Sequence, residues 1–110
     1  MITLLSPAKT LDFESPAATP RSTDLIFAEK AEYLAGKLAK FKPTKLRKMM
    51  DISEDLAVLN AERYAKWSLP VSNGDGKQAM YAFKGDVYQG LEPENFTDQD
   101  VAFAQERIRI

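Results

Sequence analysis

The apolar positions of the chain fall into short runs and helical stripes. Ile2 to Leu5 form a continuous run with two β-branched residues, closed by Pro7, which predicts a strand over 2–6 buried on both faces. Between Asp12 and Ser22 lie Ser15, Pro16, Thr19, Pro20 and Ser22, the composition of a surface loop. Phe27, Ala31, Leu34, Leu38 and Phe41 then recur at alternating spacings of four and three, so one face of a helix over 24–41 is apolar, with Ser22 or Thr23 as its cap. Pro43 stops that helix and fits the first turn of the next, over 44–50, whose apolar positions are Leu46, Met49 and Met50. Asp51 or Ser53 caps a third helix over 53–67, carrying Leu56, Ala57, Asn60, Tyr64 and Trp67 until Pro70. Ser72-Asn73-Gly74-Asp75-Gly76 is a loop, and the apolar run Ala79-Met80-Tyr81-Ala82-Phe83 reads as a second buried strand over 79–83.

Thr97-Asp98-Gln99-Asp100 opens a fourth helix over 98–106, and Arg107-Ile108-Arg109-Ile110 alternate as a half-buried strand does, over about 107–110. The pattern is mixed α/β (α+β), with helical crossovers long enough for right-handed parallel connections. The alternation runs to the last residue, so the expectation is an incomplete part of a larger single-domain fold.

Composition narrows the chemistry. The 110 residues are 45% hydrophobic and 28% charged, as in a globular domain. There is no cysteine and no histidine, which removes disulfides, Cys/His zinc sites, thiol chemistry and any serine triad with an imidazole base from this stretch. No apolar run approaches the roughly 20 residues that cross a bilayer, and the expected location is the cytoplasm without membrane attachment. Fifteen basic and sixteen acidic residues give a net charge of -1, so distribution has to decide whether a polyanion binds. It is uneven: Lys37, Lys40, Lys42, Lys45, Arg47 and Lys48 follow one another with no acid among them.

Four segments invite a chemical reading. Ser6-Pro7-Ala8-Lys9 fits Ser-x-x-Lys, yet Ser6 follows a strand and the companion elements of that hydrolase machinery are missing, so a strand-end turn with a lysine facing an anion is the better account. Gly74-Asp75-Gly76-Lys77 has the glycines and lysine of a phosphate loop, but Val71 and Gln78 break the pattern, which leaves a surface turn. Phe83-Lys84-Gly85-Asp86-Val87-Tyr88 puts a lysine, a glycine that permits close backbone approach, and a tyrosine able to stack on a base or to pack, at a strand end. Asp86 with Glu92 or Glu94 is the local oxygen cluster that would have to hold a cation; solvated turn acids are the commoner explanation, and no metal or cofactor is assigned. Finally, Leu46-x-x-Met49-x-Asp51-Ile52-Ser53-x-x-Leu56-Ala57 resembles a helix-hairpin-helix, which offers backbone amides and a helix N-terminus to phosphates without reading sequence. Asp51 and Ser53 replace the usual glycines, and Asp51, Glu54 and Asp55 repel phosphate, so an ordinary packing element stays open beside it.

Three blocks together resemble the YaaA family of bacterial peroxide stress resistance proteins: Leu5-Ser6-Pro7-Ala8-Lys9-Thr10-Leu11-Asp12, the middle segment from Met50 to Tyr64, and Ala82-Phe83-Lys84-Gly85-Asp86-Val87-Tyr88-Gln89-Gly90-Leu91. Family members are longer, so residues 1–110 are read as the amino-terminal part of one such domain, with the helix-hairpin-helix-like segment at about 44–66. The resemblance implies a cytoplasmic protein of the hydrogen peroxide response that lowers free iron and binds DNA through a positively charged cleft and a helix-hairpin-helix element. The DNA-binding candidates are Lys9, Thr10, Lys84, Gly85 and Tyr88 in the outer blocks, Ile52 and Ser53 in the hairpin, and Lys45, Arg47 and Lys48 on charge alone. The leading expectation is a non-enzymatic protein that contacts DNA backbone with little sequence specificity, its link to iron being indirect, and with no catalytic residue assigned. Two alternatives stand beside it: an iron-binding protein using Asp and Glu ligands around Asp86, and an enzyme acting on a nucleotide or damaged base with Lys9 or Asp86 as acid or base.

Overall fold

A computed structural model describes residues 1–69 and 76–110. Pro70 and residues 72–75 of the expected loop lie outside the described residues, as do Gly74 and Asp75 of the glycine-lysine segment. Among the described residues the elements run β1 (Thr3–Leu4), β2 (Thr10–Leu11), α1 (Ala28–Leu38), α2 (Pro43–Met50), α3 (Glu54–Lys66), α4 (Ala79–Ala82), β3 (Phe83–Lys84), α5 (Asp86–Leu91), a 3-10 turn (Pro93–Asn95), α6 (Asp98–Arg107) and β4 (Ile108–Arg109). Mixed α/β character is therefore as expected. The chain divides into two compact units, residues 1–22 with 76–110, and residues 23–69.

The unit formed by 1–22 and 76–110 is organised by two strand pairs. β1 pairs in parallel with β4, Thr3 opposite Ile108 and Leu4 opposite Arg109, and the Leu5 amide extends the ladder to Arg109 O at 2.8 Å. β2 pairs antiparallel with β3, Thr10 opposite Lys84 and Leu11 opposite Phe83, and the Asp12 amide continues it to Ala82 O at 2.8 Å. Tyr81, Ala82, Tyr88, Pro93 and Ala104 are its buried centre. α6 begins with a reciprocal capping box: the Thr97 hydroxyl accepts from the Asp100 amide, and the Asp100 carboxylate accepts from the Thr97 amide.

Two expectations for this unit need correction. The first strand is shorter than 2–6 and is not buried on both faces; Leu4 is 79% exposed and Ile2 53%, because β1 has a single strand neighbour and neither layer of a parallel sheet covers it. The run 79–83 is a helical turn up to Ala82, with strand geometry confined to Phe83–Lys84. The Gln78 side-chain amide ties the start of this turn to Thr19 O and Arg21 O at 2.9 and 2.8 Å, and two alanines favour the helical backbone. Short apolar runs do not separate buried strand from buried helix, which is how this one misleads.

The 23–69 unit is helical. Pro43 occupies the first turn of α2, and Leu46 on its inner face is completely buried against α3, which contributes Ala57. Ser53 caps α3, its hydroxyl accepting from the Leu56 amide at 3.3 Å. α1 is shorter than 24–41 and its register differs from the expected stripe: Ala35 is buried, whereas Phe27 is 67% and Leu34 58% exposed. The spacing is that of a helix, but the face that packs is centred on the small residue.

Candidate functional site

Basic residues at the turn between α2 and α3 form the first candidate site. α2 ends when Asp51 enters the left-handed backbone region, φ 51° and ψ 57°, from which its amide bonds Arg47 O. The Ile52 amide bonds the same carbonyl at 3.3 Å. Ser53 then starts α3, so three residues reverse the chain. Aspartate tolerates this region better than most residues, and it stands where the hairpin pattern carries a glycine. Thr44, Arg47, Lys48, Asp51 and Ile52 line an open depression at the turn.

Lys45, Arg47 and Lys48 are exposed, and so is Ser53, while Ile52 is half-buried. The Lys45 ammonium lies 3.6 Å from the centre of the Phe41 ring. A ring quadrupole holds a cation in place without cancelling its charge. Arg47 and Lys48 also sit in the last turn of α2, where cations complement the helix dipole. Opposing them, Glu54 and Asp55 occupy the first turn of α3, so the phosphate-attracting charge of this hairpin comes from α2 and not from the helix start that follows.

A second candidate lies in the other unit, where the β2–β3 pair brings the first and last sequence blocks together. Lys9 and Thr10 are exposed, and Thr10 stands opposite Lys84. The Lys84 ammonium is 2.9 Å from Glu94 Oε1 and 3.9 Å from Asp12 Oδ2. Lys77 approaches the same aspartate, donating to Asp12 O at 2.9 Å with Oδ2 at 3.7 Å. Asp12 Oδ1 accepts from the Glu14 and Ser15 amides at 2.9 and 3.0 Å. Bonding from Ser15 first, then from Glu14 and with Lys77 nearby, lowers the Asp12 carboxyl to about 2. The Lys84 hydrogen bond pulls the Glu94 carboxyl below its ordinary value, and the same bond raises the Lys84 ammonium.

Asp12, Lys77 and Glu94 are absent from the expected contact set. Asp12 closes the first block and Lys77 closes the glycine-lysine segment, but only the fold joins positions so far apart in the chain.

One tyrosine of this block serves the fold. Tyr88 is 4% exposed, donates its hydroxyl to Ser6 O at 2.7 Å and packs its ring 5.5 Å from that of Phe83. Of the two roles open to it, packing is the one observed, and burial pushes its phenol up. At Gly85 the backbone is extended, and a Cβ there would meet Ala8 at 3.5 Å, an ordinary contact. Asp86 is exposed in the first turn of α5, Glu92 accepts from Asn95 and Glu94 from Lys84; the described residues contain no group of three or more carboxylates, histidines or cysteines able to hold a metal.

Comparison with known proteins places the chain. The family described as "Peroxide stress protein YaaA" matches it over residues 1–110, and the chain belongs to that family. A UPF0246 protein of Cellvibrio japonicus is 47% identical over all 110 residues of the chain, and one of Cupriavidus pinatubonensis is 44% identical over the same span. The chain covers 43% and 42% of those two proteins, so it spans well under half of the relatives it matches. No helix of the described residues is long and apolar enough to cross a membrane.

Proposed function

We propose that the protein is a non-enzymatic, DNA-associated member of the peroxide stress response, contacting phosphates through Lys45, Arg47 and Lys48 at the α2–α3 hairpin. The observation that carries this reading is the exposure of those three cations at a tight helix–turn–helix reversal, within a stretch from 37 to 48 that holds no acid. Cations held over a ring or at a helix C-terminus keep their charge available to a polyanion. The backbone of the turn supports a helix-hairpin-helix assignment, since Asp51 adopts the conformation a glycine would. Lys9, Thr10 and Lys84 add contacts from the β2–β3 pair, whereas Tyr88 packs against Phe83 of that pair. Contacts of this kind bind backbone and discriminate little among sequences. The protein works in the cytoplasm and helps limit iron-dependent oxidative damage, its link to iron being indirect.

Titration of purified protein against duplex, bubble and single-stranded DNA at two salt concentrations tests the reading. Binding that weakens steeply with salt, and that Lys45→Ala/Arg47→Ala/Lys48→Ala weakens further, is expected. Absence of binding at low salt contradicts the reading and turns attention to iron.

A further inference from the structure

Rings and lysines alternate along the exposed side of α1. At about 3.6 residues per turn, Phe27 just before the helix and Lys30, Tyr33, Leu34 and Lys37 within it fall on one stripe, while the buried Ala35 marks the side that packs. Phe27 is 67% exposed, Tyr33 64% and Leu34 58%. The Lys30 ammonium stands 5.4 Å from the centre of the Phe27 ring, and that of Lys37 stands 5.1 Å from the centre of the Tyr33 ring. Lys30, Tyr33 and Leu34 line an open depression of about 410 Å³ with Glu29 at its side, and Glu32 falls outside the stripe.

Two properties of this face select its occupant. Contiguous exposed apolar surface marks a binding face. Lysine is depleted where proteins meet proteins, whereas surfaces that take unpaired nucleic acid combine aromatic platforms with cations that follow the backbone. Here each ring brings its own ammonium, and the stripe holds two lysines and no acid. We propose that this side of α1 is a stacking platform for unpaired nucleobases, one on Phe27 and one on Tyr33, with Lys30 and Lys37 contacting the phosphates of the same strand. Each lysine covers one face of its ring and leaves the other to a base, and Leu34 supplies apolar floor between them. Bases stacked inside a duplex have no face to offer, so the platform takes single strands, whereas the hairpin cations contact backbone in either state. The inference goes beyond the hairpin reading and stands on different residues.

The full chain is titrated with oligothymidine and with a duplex of equal length. Phe27→Ala/Tyr33→Ala is expected to weaken oligothymidine binding about tenfold or more and to change duplex binding by less than about twofold. The slope of log affinity against log salt stays unchanged in that variant, because no phosphate contact is lost, whereas Lys30→Ala/Lys37→Ala flattens it by about 0.7 per contact. Tyr33→Phe keeps the ring and retains the affinity of the wild type. All these side chains are exposed, so the variants unfold in urea as the wild type does. Absence of oligothymidine binding at low salt, binding that survives loss of both rings, or equal weakening with both probes overturns the proposal. So does a wild-type dimer that the double ring variant splits, which makes the face a contact between copies of the chain. Duplex binding indifferent to Lys45, Arg47 and Lys48 overturns the hairpin assignment and leaves the oligothymidine comparison standing.

Discussion

Lysines in the two units are held in opposite ways. In the unit of 1–22 and 76–110, Lys77 and Lys84 close on Asp12 and Glu94, so each positive charge meets a negative one. In the 23–69 unit, Lys30, Lys37 and Lys45 lie over the rings of Phe27, Tyr33 and Phe41 at 5.4, 5.1 and 3.6 Å. A carboxylate cancels the far field of an ammonium, whereas an aromatic face positions it and leaves the field intact. The first arrangement ties together segments distant in sequence; the second keeps charge available at a surface. Proximity of basic residues is therefore a poor guide to polyanion binding until their partners are known.

The largest expected effect separates packing from charge in the helical unit. Leu46→Ala removes the completely buried side chain between α2 and α3 and should cost about 2–5 kcal/mol. Chemical denaturation followed by amide exchange should show α2 and α3 losing protection first, and DNA affinity falling with the hairpin although every cation remains. Intact hairpin protection in this variant would detach the α2 surface from its packing.

Capping gives a smaller and matched pair. Ser53→Ala in one unit and Thr97→Ala in the other each remove a side-chain acceptor from a helix start, at about 1 kcal/mol apiece by thermal or urea unfolding. Ser53→Ala should leave the salt dependence of DNA binding unchanged, because Ser53 serves here as a cap and the cations lie on α2.

Acid sharpens the contrast with the smallest effect. Asp12 is lowered to about 2, and Glu94 and Asp100 are also below their ordinary values. A carboxyl with a depressed native value stabilises fully above its unfolded value, and that contribution fades as pH falls through the native one. The strand-paired unit should therefore lose amide protection gradually from about pH 4 toward pH 2, the loss being reduced in Asp12→Asn. A loss that begins near neutrality would contradict the assignment.

Helices α2, α3 and α6 were legible because their signals are local. Pro43 marks the start of α2 within one residue of the expectation, Ser53 caps α3 as its residue type suggests, and Thr97 with Asp100 opens α6. The parallel strand at Ile108–Arg109 was likewise foreshadowed by its alternation. Elements that depend on distant partners were not visible. β2 exists because Thr10 and Leu11 meet Lys84 and Phe83, and two-residue strands carry no period of their own. The stripe of α1 had helical spacing, yet packing selected Ala35 over Leu34 and Phe27, a choice set by the neighbouring surface. At the candidate sites, the basic run of α2 stood out as consecutive charge, whereas the Asp12–Lys77–Lys84–Glu94 cluster draws on positions brought together by folding alone.

The central claim is that Lys45, Arg47 and Lys48 are phosphate contacts. It is tested most directly by the slope of log affinity against log salt for duplex DNA, measured for the wild type and for Lys45→Ala/Arg47→Ala/Lys48→Ala. A slope shallower by about 0.9 per lost contact, and so by roughly three units if all three touch phosphate, is the predicted result. An identical slope in the two proteins would contradict it, whatever the change in affinity.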